Sequence, residues 1–199
     1  FVARAAPDGH TVLISTTPHA VNPSLFRKLP FDPIKDFTMV SQLAITQNVF
    51  VVHPSLPVKT LKEFIALAKA RPGQINFSST GNGTTTHIAG ELFNMMTGVK
   101  TQHIPYKGAG QALTDAVSGQ VQLNYAAPLL SLAYIKAGRL RPIAISGDAR
   151  LPNLPQVPTF TEAGLPGFDV KVWYGYLAPG GTPKPVLDKL SAEIRSEEH

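Results

Sequence analysis

The chain has no cysteine in its 199 residues, which removes disulfides, thiolate metal sites and thiol catalysis and leaves the redox compartment open. Charge is scarce as well, at 16% of residues against 43% hydrophobic, so the chain reads as packed and globular. No stretch approaches the roughly 18 consecutive apolar residues of a membrane-spanning helix. Basic residues outnumber acidic ones and give a formal charge of +5, but they are scattered along the chain. That balance suits a small anionic partner and lacks the basic stripe of a nucleic-acid binder.

Catalytic and cofactor signatures are missing too. No Gly-Lys-Ser or Gly-Lys-Thr marks a nucleotide phosphate loop, and no Gly-x-Ser-x-Gly elbow surrounds Ser78 or Ser79. His10, His19, His53 and His103 stand apart without the spacing of a zinc site. No catalytic residues, metal site or cofactor are expected.

Proline and glycine, 18 and 16 residues, punctuate the chain evenly and favour many short alternating elements. Strands are expected at 11–15, 39–45 and 48–52, with a hydroxyl-rich loop over 16–20. Thr60-Leu61-Lys62-Glu63 is a capping box that opens a helix. Strand, turn and helix then repeat: strand 74–78 with a helix ending at Gly98, strand 101–104 with helix 109–118, strand 121–125 with helix 129–137, and strand 141–146. In the helix before Gly98, Ile88, Leu92, Met95 and Met96 share a face. This alternation predicts a mainly parallel sheet covered by helices. A proline-rich stretch over 147–168 holds a short helix near 159–162, and an extended run over 170–177 leads to a closing helix behind Pro183. Residues 196–199 carry no core pattern and read as a chain end.

Extended crossings near 50–53 and 173–177 bracket the βα-rich middle. The expected division is therefore 1–49 in a first lobe, 50–174 as a second, inserted lobe, and 175–199 returning to the first, with a hinge between them. The opening Phe1-Val2-Ala3-Arg4-Ala5-Ala6 lacks an initiating Met and reads as the last turns of a helix begun upstream, so the chain is read as a fragment.

The most informative run is Ser78-Ser79-Thr80-Gly81-Asn82-Gly83-Thr84-Thr85-Thr86-His87, a Gly/Ser/Thr-rich turn between a strand and a helix. Glycines admit close backbone approach, hydroxyls add donors, and the first N–H groups of a helix have no intrahelical acceptor. Thr86 stands where a dinucleotide fingerprint needs its third glycine, which excludes that cofactor. Two readings stay open for the run, an anion cradle and an ordinary strand-to-helix turn. His87 either donates to a ligand or bonds a neighbouring loop. Tyr106 and Lys107, at the next helix start, either help hold a carboxylate or serve as packing and a solvated charge. Thr16 and Thr17 offer hydroxyls at another strand exit, or simply form its turn.

Six segments in order, Ala6 to Leu13, His19 to Leu25, Ser78 to Phe93, Pro105 to Gly108, Lys136 to Arg141 and Trp173 to Gly175, resemble the Bug family of extracytoplasmic solute receptors of tripartite tricarboxylate transporters. The resemblance spans nearly the whole chain. It implies a type II periplasmic-binding-protein fold, two α/β lobes closing over a small carboxylic acid, a periplasmic location, membrane transporter subunits as partners, and no catalysis. It also implies that part of the first lobe lies beyond the two ends of this sequence. The implied carboxylate loops are Ser79 to Thr85 from the second lobe and Ser15 to His19 from the first. Many relatives that bind amino acids place an acidic residue after the strand ending at Tyr125, where this chain has Ala126-Ala127, so carboxylates without an amine are expected. The alternative is an effector-sensing domain of a transcription regulator with the same fold, and an α/β enzyme is a third reading.

Overall fold

The computed structural model describes residues 1–196, so the expectation for the chain end falls largely outside the described residues. In chain order the elements are a single 3-10 turn Val2–Arg4, β1 Leu13–Thr16, α1 Thr17–Leu25, β2 Phe37–Thr46, β3 Val49–Val52, α2 Leu61–Ala70, β4 Asn76–Ser79 and α3 Thr85–Thr97. There follow β5 Gln102–Pro105, α4 Ala109–Ser118, β6 Leu123–Ala126, α5 Pro128–Lys136, β7 Arg141–Ile145, β8 Val172–Pro179 and α6 Lys184–Ser196. They fall into two compact units, one of Phe1–Ile45 with Val172–His199 and one of Thr46–Lys171. The chain passes between the units at 45/46 and 171/172, against 49/50 and 174/175 in the sequence pattern, and β8 lies wholly in the first unit.

The first unit is a three-stranded sheet in the order β1-β8-β2, with β1 antiparallel to β8. Residues 16–20, expected as a loop, are instead the cap and first turn of α1. Pro18 lies in that first turn, where its missing N–H removes no hydrogen bond. Near the chain start, Val2–Arg4 form one 3-10 turn.

The second unit is a five-stranded sheet in the order β5-β4-β6-β3-β7. β4 is parallel to both β5 and β6, whereas β3 is antiparallel to β6 and β7. Four strands therefore run one way and β3 runs against them. All four β3 side chains are buried, and they alternate between faces: Phe50 and Val52 enter one apolar cluster, Val49 and Val51 the other. Phe50 centres the first cluster, with Phe64, Phe93, Tyr125 and Phe160 at 5.0 to 5.5 Å between ring centroids.

The buried face of α3 differs from the expected one. Its buried residues are Thr85, Thr86, Ala89, Gly90, Phe93 and Thr97, while Met95 is 74% exposed. Small residues win the inner face because the ring of Phe77 lies against Gly90, where any Cβ would overlap it. Leu92 and Met96 pack at the rim of the cluster. The short helix expected at 159–162 is a hydrogen-bonded turn. Glu162 and Thr159 exchange side-chain bonds to each other's backbone N–H, at 2.8 and 3.2 Å, after a single bridge between Thr159 and Ile145.

Candidate functional site

Strand direction decides where each helix of the second unit begins. β4, β5 and β6 are parallel, and Ser79 pairs with Pro105 at their carboxyl ends. Residues 80–84, 106–108 and 127 thus leave the sheet along one edge, and α3, α4 and α5 all start there. No side chain caps any of these three helices. The unfilled N–H groups that begin α3 and α4, and three positive dipole ends, share that edge; α5 begins with Pro128, and its Leu130 N–H donates to Ala127 O. Helix α2 follows the opposed strand β3 and so starts at the other edge, where its capping box is complete.

Within residues 79–87 the hydroxyls hold the loop. The Thr84 hydroxyl donates to Gly81 O at 2.7 Å, and Thr86 Oγ1 accepts from Thr80 N–H at 3.0 Å. The hydroxyls of Thr80 and Thr84 lie 3.2 and 3.1 Å from Thr86 Oγ1. Ser79 Oγ accepts from Gly81 N–H at 3.1 Å, and Tyr106 N–H donates to Ser79 O at 3.0 Å, tying the loop to the end of β5. Gly81 and Gly83 sit at φ 131° and 75°, backbone that side-chain-bearing residues adopt at a cost.

This bonding leaves a defined set of donors. Among the described residues, the backbone N–H groups of Asn82, Thr85, Thr86 and His87 have no protein acceptor, and neither the Thr85 hydroxyl nor the Asn82 side chain makes a hydrogen bond. An oxyanion is the natural complement of such a group, because each unpaired N–H gains an acceptor and the helix dipole favours negative charge.

His87 is drawn into the loop. Gly83 N–H donates to its Nδ1 at 3.1 Å, so the ring proton sits on Nε2, which faces Glu91 Oε1 at 4.0 Å. The His87 ring stacks on His103 with centroids 4.0 Å apart, and His103 stacks in turn on Phe77 at 4.9 Å. His103 Nε2 is 2.6 Å from Ser79 Oγ. Burial, assisted by the neighbouring His87, pushes the His103 pKa down to about 4, so this ring is neutral near pH 7.

The remaining candidates are placed as follows. Tyr106 donates its hydroxyl to Asp115 Oδ2 at 2.7 Å, and burial together with that bond pushes its pKa up to about 12. Lys107 is exposed and makes no ion pair among the described residues. Ala126 is buried at the end of β6, paired with Val49. Thr16 and Thr17 belong to the other unit, where Thr16 caps α1 without a side-chain bond and the Thr17 hydroxyl is buried without a partner among the described residues.

The edge also carries groups that sequence reasoning missed. His103 looked isolated because its partners Phe77, Ser79 and His87 come from β4 and α3. Asn48, just before β3, donates its backbone N–H to Ser146 Oγ at 2.8 Å and accepts from Ser146 N–H at its carbonyl at 2.9 Å, and its Nδ2 is buried without a partner among the described residues. The register Val49 to Ala126 and Ile145 places Asn48 at the same edge. Only a correct strand order could have shown this in advance.

This chain is similar throughout to proteins of one kind. The profile of the tripartite tricarboxylate transporter family receptor matches residues 1–199. BugT from Bordetella pertussis is 36% identical over 194 residues, which is 96% of this chain and 60% of that protein. An R. palustris protein solved with adipate is 36% identical with a TM-score of 0.89, covering 97% of this chain and 65% of that one. The periplasmic binding protein BugD is 31% identical with a TM-score of 0.87, covering 98% of this chain and 65% of that one. The chain spans about three-fifths of the length of the curated relatives it matches. Family profile, relatives and fold agree, and the chain belongs to the tripartite tricarboxylate transporter receptor family, the solute-binding receptors that include the Bug proteins.

Proposed function

We propose that this protein is an extracytoplasmic receptor that captures a small carboxylic acid and delivers it to the membrane subunits of a tripartite tricarboxylate-type transporter, without chemical change to the ligand. The uncapped start of α3 carries this reading. Four backbone N–H groups there, from Asn82, Thr85, Thr86 and His87, have no protein acceptor among the described residues. A carboxylate fills two of them at a time and lies at the positive end of the helix dipole. Ser79, Thr80, Gly81, Gly83 and Thr84 then shape the loop, and Thr85 adds its hydroxyl. Lys107 adds a distant positive charge in this proposal.

The ligand carries no ammonium group in this reading. Ala126 and Ala127 bring no carboxylate to the end of β6, and Asp115 is engaged by Tyr106. Thermal unfolding of the protein against adipate, malate, other mono- and dicarboxylates and the matching amino acids tests both points. A carboxylate at 100 times its Kd adds about 2.7 kcal/mol of stability. No shift across the panel would refute carboxylate capture, and larger shifts with the amino acids would refute the exclusion of an amine.

A further inference from the structure

Two helices of the second unit begin with the same cap residue and differ three positions on. α2 starts Thr60-Leu61-Lys62-Glu63 and α3 starts Thr84-Thr85-Thr86-His87. In α2, Glu63 Oε2 reaches back to accept from the N–H of Thr60 at 3.3 Å and of Lys59, the residue before the cap, at 2.6 Å. In return the Thr60 hydroxyl accepts from Glu63 N–H at 3.2 Å. This reciprocal closure fills the N–H groups of Lys59, Thr60 and Glu63 from within, while those of Leu61 and Lys62 have no protein acceptor among the described residues.

In α3 the same position reaches back by different chemistry. His87 Nδ1 accepts from the N–H of Gly83, again the residue before the cap, at 3.1 Å. The cap hydroxyl turns away, because Thr84 donates it to Gly81 O at 2.7 Å. His87 N–H is therefore left without a protein acceptor among the described residues, with those of Thr85 and Thr86 beside it. We infer that His87 is a positioning residue that takes the place of a capping-box glutamate: as a neutral acceptor it folds the loop back onto the helix without setting a negative charge beside the N-terminal amides, which the turned-away Thr84 hydroxyl leaves open to a carboxylate.

The sign of the charge is the reason for the substitution. A glutamate here would accept from the N–H groups of the cap and the residue before it, as Glu63 does, and would set a negative charge beside the open first-turn amides that repels an incoming anion. Imidazole accepts one N–H and adds no charge. The ring is fixed for this task on both sides, with Nε2 facing Glu91 and its face stacked on His103, itself backed by Phe77. Glu91 on α3 is the charged group that faces His87 among the described residues. β4 presents Phe77 and Ser79, and β5 presents His103.

The inference rests on the carboxylate-receptor reading for its purpose, but its geometry is testable without any ligand. In the full chain, amide hydrogen exchange at Gly83 should be slow in the parent protein, about tenfold faster or more in His87→Phe, and slow again in His87→Gln, which restores a neutral acceptor. Unchanged exchange in His87→Phe overturns the proposed contact. His87→Glu should raise the melting temperature in the absence of ligand, by closing the helix end as Glu63 does, and a lowered or unchanged value overturns the claim that this end is held open. With adipate and malate as probes, His87→Glu should weaken binding about tenfold or more, and His87→Gln should recover most of it. Equal affinity in His87→Glu and the parent overturns the charge argument. If the parent binds no carboxylate at all, the receptor reading fails alone, and exchange and melting still decide the role of His87.

Discussion

The starts of α2 and α3 lie in one unit, share a threonine cap and carry out opposite tasks. α2 follows the antiparallel strand β3 and is closed by its own Glu63. α3 follows the parallel strand β4 and is left open, its loop held by three threonine hydroxyls, Ser79 and two stacked imidazoles. The first end has its cap and its third-position N–H filled by the chain itself. The second is finished only when something outside the chain supplies acceptors, which is how a stable fold retains a binding site. A reversed strand is what separates them, because it sends one helix start to the far edge and leaves the other three together.

The largest effect on this contrast is expected from breaking the open end itself. Gly83 sits at φ 75° and is buried, so Gly83→Val forces a β-branched residue into left-handed backbone at about 1–2 kcal/mol and disturbs the N–H that His87 accepts. The melting temperature should fall by several degrees and carboxylate binding should be lost, while circular dichroism keeps the α/β signature. Retained binding would show that the loop conformation is not what presents the amides.

The closed end should respond in stability alone. Thr60→Ala removes the hydroxyl that accepts Glu63 N–H and should cost about 1 kcal/mol. Carboxylate affinity should not move, because this helix start faces the other edge of the sheet. Paired melting and titration of Thr60→Ala against the parent separates the two quantities. A matching loss of affinity would mean that the two ends are coupled and that the contrast between them is false.

Much of this organisation was legible in the sequence, and the gaps have physical causes. Period-3.6 stripes and turn residues gave α2, α4 and the strand-turn-helix order, since those signals are local. The Thr60 capping box could be read directly. The inner face of α3 could not, because Gly90 is buried for its lack of a side chain and only the fold brings Phe77 against it. The reversal of β3 was hidden for a similar reason: Val49 to Val52 is buried on both faces, and such a run carries no mark of direction. At the site, the glycine-rich turn stood out at once, but the hydroxyls that looked like ligand donors mostly bond one another. His103 had no signal at all, since its neighbours are set by the parallel pairing of β4 with β5.

The smallest expected effect concerns acid, and it belongs to the open end because its supports are imidazoles. His103, half-buried between Phe77 and His87, has its pKa pushed down to about 4, whereas an unfolded chain protonates histidine near pH ~6.5. Between those two values the unfolded state binds a proton that the native state refuses, so this residue leaves stability flat above pH ~6.5 and lowers it as the pH falls toward about 4. His103→Phe keeps a ring between its two neighbours and removes the ionisation. Melting temperatures of parent and variant taken from pH 7 down to pH ~4.5 should therefore diverge in slope, with the variant less sensitive to acid. The helix start at Thr60 contains no histidine, so Thr60→Ala should shift the whole curve down and leave its slope unchanged. Parallel curves for parent and His103→Phe would mean that the imidazole column under α3 does not distinguish the open end from the closed one.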